Sequence, residues 1–90
     1  MKLKVATVSD EEQSEISRLF KRRKFLETLR TLITESDKEL YLRYQSDVTS
    51  TVQAIDGWWE EIKLLYHLVP VAGGRWQIDF QTKTIYLITP

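Results

Sequence analysis

Apolar and charged residues alternate over the first eight positions of the chain. Leu3 and Val5 fall on one side of an extended segment, and Lys2 and Lys4 fall on the other. Successive side chains of a strand point to opposite faces of a sheet, so this alternation predicts a half-buried β-strand from Lys2 to Val8. We expect the two lysines on the solvent side of that strand.

A helix is predicted to begin next, at about Asp10. Ser9 is followed three residues later by Glu12, the spacing at which the two side chains cap each other's backbone amides. The apolar residues of this helix form two groups that point about a third of a turn apart. Nothing between the groups breaks a helix, so we expect its two halves to pack against different neighbours. The groups are Ile16, Leu19 and Phe20, and then Phe25, Leu26, Leu29, Leu32 and Ile33.

A second helix is predicted to begin just after Ser36, almost without a loop. Ser36 and Glu39 repeat the serine-x-x-glutamate signature, and a connection this short makes neighbouring helices antiparallel. Apolar residues then recur at alternating spacings of four and three, which predicts one continuous seam. Asp56-Gly57 interrupts the pattern, and a break in the helix there is the alternative. The seam comprises Tyr41, Val48, Val52, Ile55, Trp59, Ile62, Tyr66 and Val69, with Gln45 as its polar exception.

The end of the chain predicts a β-hairpin. Pro70 should end the second helix, and Gly73-Gly74 provides a turn. Residues 75–80 alternate between polar and apolar types, residues 81–83 fit a short connection, and residues 84–88 fit a last strand. We expect the first strand to pair with this hairpin.

The predicted order is therefore a strand, a long antiparallel helix pair and a C-terminal β-hairpin. This order indicates an α+β fold, in which a small sheet is packed on one side by the helices. With 90 residues, the chain has room for one domain, spanning 1–90.

The overall composition narrows the classes of function. Thirteen basic residues balance thirteen acidic ones, so the whole molecule has no net field that would attract nucleic acid or an anionic membrane. Cysteine is absent, which excludes disulfides and thiolate chemistry and fits a reducing compartment. The first ten residues lack the apolar stretch of a signal peptide, and no segment has the length of a membrane span, so we expect a cytoplasmic protein.

No arrangement of residues indicates an enzyme or a cofactor. His67 is the only histidine and cannot anchor a typical zinc site without further ligands, and a histidine at a helix end is favoured by the helix dipole. Glu60 and Glu61 are adjacent, so on a helix their side chains diverge and do not share a site. Solvated helix charges explain both glutamates. We expect no catalytic residue, no metal and no cofactor.

The densest charge cluster lies in the first helix. Arg18, Lys21, Arg22, Arg23 and Lys24 could together engage phosphates of nucleic acid or another anion. The alternative is a solvated face whose charges pair with nearby glutamates of the same helix. The balanced charge of the chain favours this second interpretation.

Three apolar residues are candidates for binding a partner. Trp58 diverges from Trp59 on the helix and lies near the edge of the seam, so it fits either the core or an exposed interface anchor. Tyr86 and Ile88 alternate with the inward positions of the last strand, and they fall on the face that the other strands make polar. The pattern gives these two residues no partner within the chain.

The function hypothesis that follows is a non-catalytic accessory or regulatory module that binds a protein or peptide. Two long helices present more apolar surface than a small sheet covers, so the module is expected to act as a homodimer or within a complex. The alternative is a nucleic-acid-binding regulator. Helices followed by a terminal hairpin resemble a winged helix in element order, and the basic stretch of the first helix would make the contact.

Overall fold

The first helix begins where the sequence predicts it. In a computed structural model, which describes residues 1–34 and 36–90, strand β1 spans Lys2–Thr7 and helix α1 spans Asp10–Leu29. The amide of Glu12 donates to Ser9 Oγ at 3.1 Å, and the amide of Ser9 donates to Glu12 Oε1 at 2.8 Å. This capping box satisfies two amides that have no partner within the helix.

Helix α1 ends earlier than predicted, at Leu29. Thr28 Oγ1 donates to the carbonyl of Lys24 at 3.1 Å, and Thr31 Oγ1 donates to the carbonyl of Thr28 at 2.9 Å. Threonine hydroxyls that bond to nearby carbonyls offer the backbone an alternative to the helical pattern. Residues 30–32 therefore turn out of the helix, and Leu32 lies exposed instead of continuing an apolar face.

Helix α2 spans Lys38–Leu65 and runs unbroken through Asp56 and Gly57. Its N-cap is Asp37 rather than Ser36, since Asp37 Oδ1 accepts a hydrogen bond from the amide of Leu40 at 3.2 Å. The helix ends before Pro70 is reached.

A local turn, and not the proline, ends α2. His67 adopts a left-handed conformation with φ of 55°, and the amide of Leu68 donates to the carbonyl of Lys63 at 2.9 Å. This is the Schellman arrangement, in which a residue just past the helix end reverses the chain and satisfies an orphan carbonyl.

The three strands form one antiparallel sheet in the order β1-β3-β2. Strand β2 spans Arg75–Asp79 and β3 spans Thr84–Ile88, so the predicted hairpin and its pairing with the first strand are confirmed. Asp79 Oδ1 accepts hydrogen bonds from the amides of Gln81 and Thr82 in the connection. The last strand of the chain is therefore the central strand of the sheet.

A bulge changes which side chains of β1 face the core. The register shifts between Lys4 and Ala6, so that Ala6 lies opposite Ile85. A bulge inserts one extra residue, here Val5, and later side chains switch faces. Val5 was predicted to point inward, but it is exposed, and Ala6 and Val8 take its place beside the core.

The core lies where the two helices meet the inner face of the sheet. On α2 the buried positions are Thr51, Ile55, Trp58 and Ile62, so two of them differ from the predicted seam. Trp59 is partly buried beside Trp76 of the sheet, whereas Val52 is exposed and lines a depression with Arg23 and Leu26 of α1. The apolar members of the core cluster are Val8, Ile16, Leu19, Ile55, Trp58, Ile62, Ile78 and Ile85.

The sheet covers only part of the helix pair. Early residues of α1 contact late residues of α2, and Arg22 of α1 contacts Thr51 of α2, so the two helices are antiparallel. The chain measures 46 × 29 × 21 Å, and its radius of gyration is 15.9 Å. A compact chain of this length has a radius of gyration of about 12 Å. The helix ends joined by residues 30–37 therefore project beyond the sheet as an arm.

Candidate functional site

The helix pair has one side covered by the sheet and one side left open. On the covered side, Phe20 packs edge-on against Phe80 with ring centroids 5.4 Å apart, and Trp59 and Trp76 line the same shallow depression. On a helix of 3.6 residues per turn, Glu11 and Arg18 lie opposite Phe20, and Glu61 lies opposite Trp59. These residues therefore face away from the sheet.

We call this second side the open face. Its side chains recur at spacings of three and four along α1 and at spacings of three, four and seven along α2, and all are exposed. The ion pair between Arg22 and Asp47, at 3.7 Å, links the two helices across it. The open face comprises Glu11, Glu15, Arg18, Arg22 and Phe25 of α1 with Leu40, Asp47, Ala54, Gly57, Glu61 and Leu65 of α2.

A groove of about 610 Å³ lies at one end of the open face, between the start of α1 and the end of α2. Its floor is apolar and is formed by Trp58 and Ile62, while Leu64 and Leu65 form one wall. Leucines at such an exposed position leave apolar surface in water at a cost of roughly 25 cal/mol per Å². A ligand that covered them would recover that free energy.

The rim of the groove is acidic. Four carboxylates surround it, those of Glu11, Glu12, Glu15 and Glu61. Glu15 accepts a hydrogen bond from Arg18 at 2.7 Å, which partly neutralises it. Within the described residues, Glu11 and Glu61 have no ion-pair partner. An apolar floor inside a negative rim suits a ligand that carries both apolar and basic side chains.

The opposite end of the open face carries basic side chains. Arg22 and Arg18 lie along α1 towards the arm, and Lys21 is adjacent to them. Two apolar side chains accompany these cations: Phe25 is 64% exposed and Leu40 is 45% exposed. The open face therefore has glutamates and a groove at one end, and at the other end it has protruding apolar groups with Lys21 and an Arg22–Asp47 ion pair.

Glu12 joins the groove to the core. Its carboxylate accepts hydrogen bonds from Tyr66 Oη and from the amide of Ser9. Partial burial raises the pKa of Glu12, but the hydrogen bonds from Tyr66 and Ser9 together lower it by more, so its pKa lies below the ordinary value. The same hydrogen bond raises the pKa of Tyr66, because the phenol donates its proton to a carboxylate.

Glu12→Gln should lower the free energy of unfolding at pH 7 by about 0.5–1 kcal/mol, a value reduced for solvent screening of a partly exposed group. Because folding lowers the pKa of Glu12, its contribution is fully present above the ordinary pKa of 4.5 and is lost as pH falls through the folded value. The difference between wild type and variant should therefore vanish in acid. Urea denaturation at a series of pH values measures it. Glu11→Gln is the matched control, and an equal effect there would contradict a specific role of Glu12.

Trp58 belongs to the core and not to an exposed interface. It is 7% exposed, and its Nε1 donates to the carbonyl of Glu12 at 3.0 Å. The ring of Trp59 lies edge-on to it at 4.9 Å. The sequence left both possibilities open for Trp58. The structure buries this residue because α2 turns it towards α1, and its part in binding a partner stays a prediction. Trp58 also lines the floor of the groove.

Tyr86 and Ile88 lie on the outer face of the sheet, as the alternation predicts. Strand β3 is central, so Tyr86 has Lys4 and Gln77 as its neighbours on the two flanking strands. Lys2 Nζ lies 4.4 Å above the ring of Tyr86. Long basic side chains cover much of an aromatic surface in this way. Tyr86 and Ile88 are both half-buried without any partner chain. Partner binding by these two residues stays a prediction.

The basic stretch of α1 is not gathered on one surface. Arg18 pairs with Glu15, Arg22 donates to Thr51 Oγ1 at 3.1 Å, and Arg23 lies over the ring of Phe20 and 4.0 Å from Glu27. In the described part of the chain, Lys21 and Lys24 have no ion-pair partner. The two lysines and the three arginines, which contact other side chains of the protein, therefore lie on different sides of the helix. Binding of anions by this stretch stays a prediction.

The groove was not anticipated from the sequence, although part of its signal is visible there. Glu11 and Glu15 lie four residues apart, and Leu64 and Leu65 are apolar residues outside the predicted seam. The sequence does not show how α1 and α2 are aligned along their lengths. This alignment is what brings Glu11 and Glu15 opposite Leu64 and Leu65.

Comparisons with other proteins assign no family to this site. No protein-family model, curated protein sequence or solved structure matches the chain. The residues described by the structure contain no cluster of side chains that could hold a metal ion, and no helix among them is long and apolar enough to cross a membrane.

Proposed function

We propose that this chain is a non-catalytic protein-binding module whose groove receives an apolar segment with basic side chains. The observation that carries the proposal is the combination of an apolar floor and wall with four glutamates around them. Buried apolar anchors supply most of the affinity of a protein interface, and complementary charges at the rim supply specificity and speed of association.

The size of the groove limits what it can hold. Its lining residues come from about one helical turn of α1 and about two of α2, so it accommodates one or two large side chains rather than a whole element. A protruding phenylalanine or leucine flanked by lysine or arginine fits this description. The partner segment is most simply a helix, because apolar and basic residues then project together at spacings of three and four.

The proposal assigns no reaction to the groove. Its polar groups are carboxylates. Glu12 accepts hydrogen bonds from Tyr66 and Ser9, and Glu15 accepts hydrogen bonds from Arg18. A general acid or base needs a positioned substrate atom and a pKa near the working pH, whereas the pKa of Glu12 is lowered. Binding is the function that this arrangement supports best.

Nucleic-acid binding of the winged-helix type has less support. A helix-turn-helix core crosses its two helices at a steep angle around a short turn, whereas α1 and α2 are antiparallel over much of their length. Three of the five basic residues in α1 also have partners within the chain. The open face is therefore preferred over the basic stretch as the binding surface.

A titration with two synthetic peptides tests the proposal. The wild-type chain should bind a short amphipathic helix of leucine and lysine more tightly than its analogue with glutamate in place of lysine. Substituting Glu11→Lys and Glu61→Lys together should weaken binding of the basic peptide by about tenfold or more, because the attraction at the rim becomes repulsion. Fluorescence anisotropy of a labelled peptide gives both affinities.

The matched control for that experiment changes the charge by the same amount elsewhere. Asp56→Lys and Glu60→Lys lie on α2 away from the open face and should leave the affinity within about twofold of wild type. If the control variant loses as much affinity as the groove variant, the attraction comes from net charge and the groove is not the site. Equal binding of the basic and acidic peptides would contradict the charge argument directly.

A further inference from the structure

We infer that the segment filling the groove belongs to a second copy of this chain, with the two open faces packed antiparallel about a two-fold axis. This inference rests on the proposed function and names the partner for the same groove. In the dimer, the arm end of each copy supplies Phe25 to the groove of the other. Each groove is incomplete without the partner's side chain.

The charge pattern of the open face selects the antiparallel arrangement. The groove end carries Glu11, Glu15 and Glu61, Arg18 lies midway along the face and pairs with Glu15, and the arm half carries Lys21 together with Arg22, which pairs with Asp47. Packing two copies in parallel would place the glutamates of one against the glutamates of the other. Turning one copy end for end about an axis at Arg18 separates the two sets of glutamates and brings Glu15 of each copy level with Lys21 of the other, so one chain contains both members of this charge pair.

The apolar groups have a spacing that fits the same arrangement. Phe25 lies fourteen residues beyond Glu11 on α1, a distance of about 21 Å at a rise of 1.5 Å per residue. A two-fold axis at the level of Arg18, halfway between them, brings Phe25 of one copy to the groove of the other. Phe25 is 64% exposed on its own chain, so this position would cover one of its large unburied apolar groups.

Small residues lie where the axis would cross α2. Ala54 and Gly57 line the same shallow depression as Glu15 and Leu19 of α1, so they stand at the level of the proposed axis. A methyl group added at Gly57 would meet no atom within 4 Å, and therefore no contact within the chain requires glycine there. Glycine is a poor helix former, and close approach by a second backbone gives a reason for it at this position.

Both helices thus point to one axis from independent features. On α1, Glu15 and Lys21 are equidistant from Arg18, as are Glu11 and Phe25, and on α2 the small residues Ala54 and Gly57 lie at the same level. An isologous contact of this kind closes on itself and produces a dimer rather than a fibre. The helix pairs would then form a four-helix bundle with the two sheets on its outer sides.

Sedimentation equilibrium tests the inference on the full chain. A dimer of 21.4 kDa, twice the chain mass of 10.7 kDa, is expected at micromolar concentrations. Gly57→Leu should weaken dimerisation by about 100-fold by preventing close approach of the two α2 helices. The open space around Gly57 means that the monomer should keep its fold, which circular dichroism verifies. Gly57→Ala serves as a milder variant. Unchanged dimerisation in Gly57→Leu would overturn the proposed axis.

A charge-swap experiment tests the antiparallel arrangement. One variant carries Glu11→Lys and Glu61→Lys, and the other carries Lys21→Glu. Each alone should dissociate into monomers, because both of its end-to-end contacts become repulsive. An equimolar mixture should form a heterodimer, because every contact between the two variants is again opposite in sign. Homodimers of either variant as stable as wild type, or a mixture that stays monomeric, would overturn the arrangement.

The same measurements separate this inference from the function on which it rests. A wild-type chain that is monomeric at high concentration, and still binds the basic peptide through its groove, would overturn the dimer and leave the proposed function intact. A monomer that binds neither peptide would overturn both.

Discussion

Replacing Trp58 with alanine should lower the free energy of unfolding by about 3–5 kcal/mol, the largest effect expected of any single change considered for this protein. Trp58 is 7% exposed and contacts both helices and the core cluster. Its loss leaves a cavity that neighbouring side chains cannot fill, and it removes the hydrogen bond from Nε1 to the carbonyl of Glu12. Domains are stable by only about 5–15 kcal/mol, so the variant should be close to unfolding at 37 °C.

Urea denaturation followed by far-ultraviolet circular dichroism measures this change without depending on tryptophan fluorescence. Trp58→Phe is the matched comparison, since it retains most of the apolar volume and loses the N–H donor. A cost of about 1–2 kcal/mol is expected for it. If Trp58→Ala costs less than Trp58→Phe, the residue is not part of the core.

Ile62→Ala should lower the free energy of unfolding by about 2–4 kcal/mol. Ile62 is 1% exposed and packs at the junction of both helices and the sheet, where a cavity cannot collapse easily. Ile62→Val should cost about 0.5–1.5 kcal/mol, so that the series reports the volume removed. Thermal and urea denaturation of the three chains provide the values.

Leu42 supplies the control for this series on the same helix. It is 63% exposed and lies on neither the open face nor the core, so Leu42→Ala should change stability by less than about 0.5 kcal/mol. Equal destabilisation by Ile62→Ala and Leu42→Ala would contradict the packing of α2 described above.

The two changes also bear on the groove, because Trp58 and Ile62 form its floor. Variants that keep the fold, such as Trp58→Phe and Ile62→Val, should deepen the groove slightly without altering its acidic rim. The core and the binding surface are therefore adjacent layers of the same helix pair, and the floor of the groove is rigid for the same reason that the core is stable.

Local signals in the sequence were reliable where a few neighbouring residues settle the outcome. Ser9 and Glu12 cap α1 as their spacing predicts, and the alternation in residues 75–88 gives the two strands of the hairpin. The second cap was misplaced by one residue, because Asp37 and Ser36 are both suitable and only the path of the chain selects Asp37. Signals of this kind operate within one helical turn or one strand pair.

The seam of α2 was less predictable, since its apolar residues offer two overlapping stripes. A spacing of four and three favoured Val52 and Trp59, but Thr51 and Trp58 are buried. The choice depends on α1 packing against one side of α2 and the sheet against the other, which a pattern in one helix does not encode.

The sequence by itself determined the order of elements, the start of α1 and the α+β class, because capping, alternation and turn chemistry are local. The tertiary structure decided the bulge after Lys4, the burial of Trp58 and the meeting of Glu11 and Glu15 with Leu64 and Leu65 in one groove. These features depend on how far each helix is rotated and shifted against its neighbour. Rotation and shift are set by packing of the whole molecule, so residues distant in sequence form a site only once the fold exists.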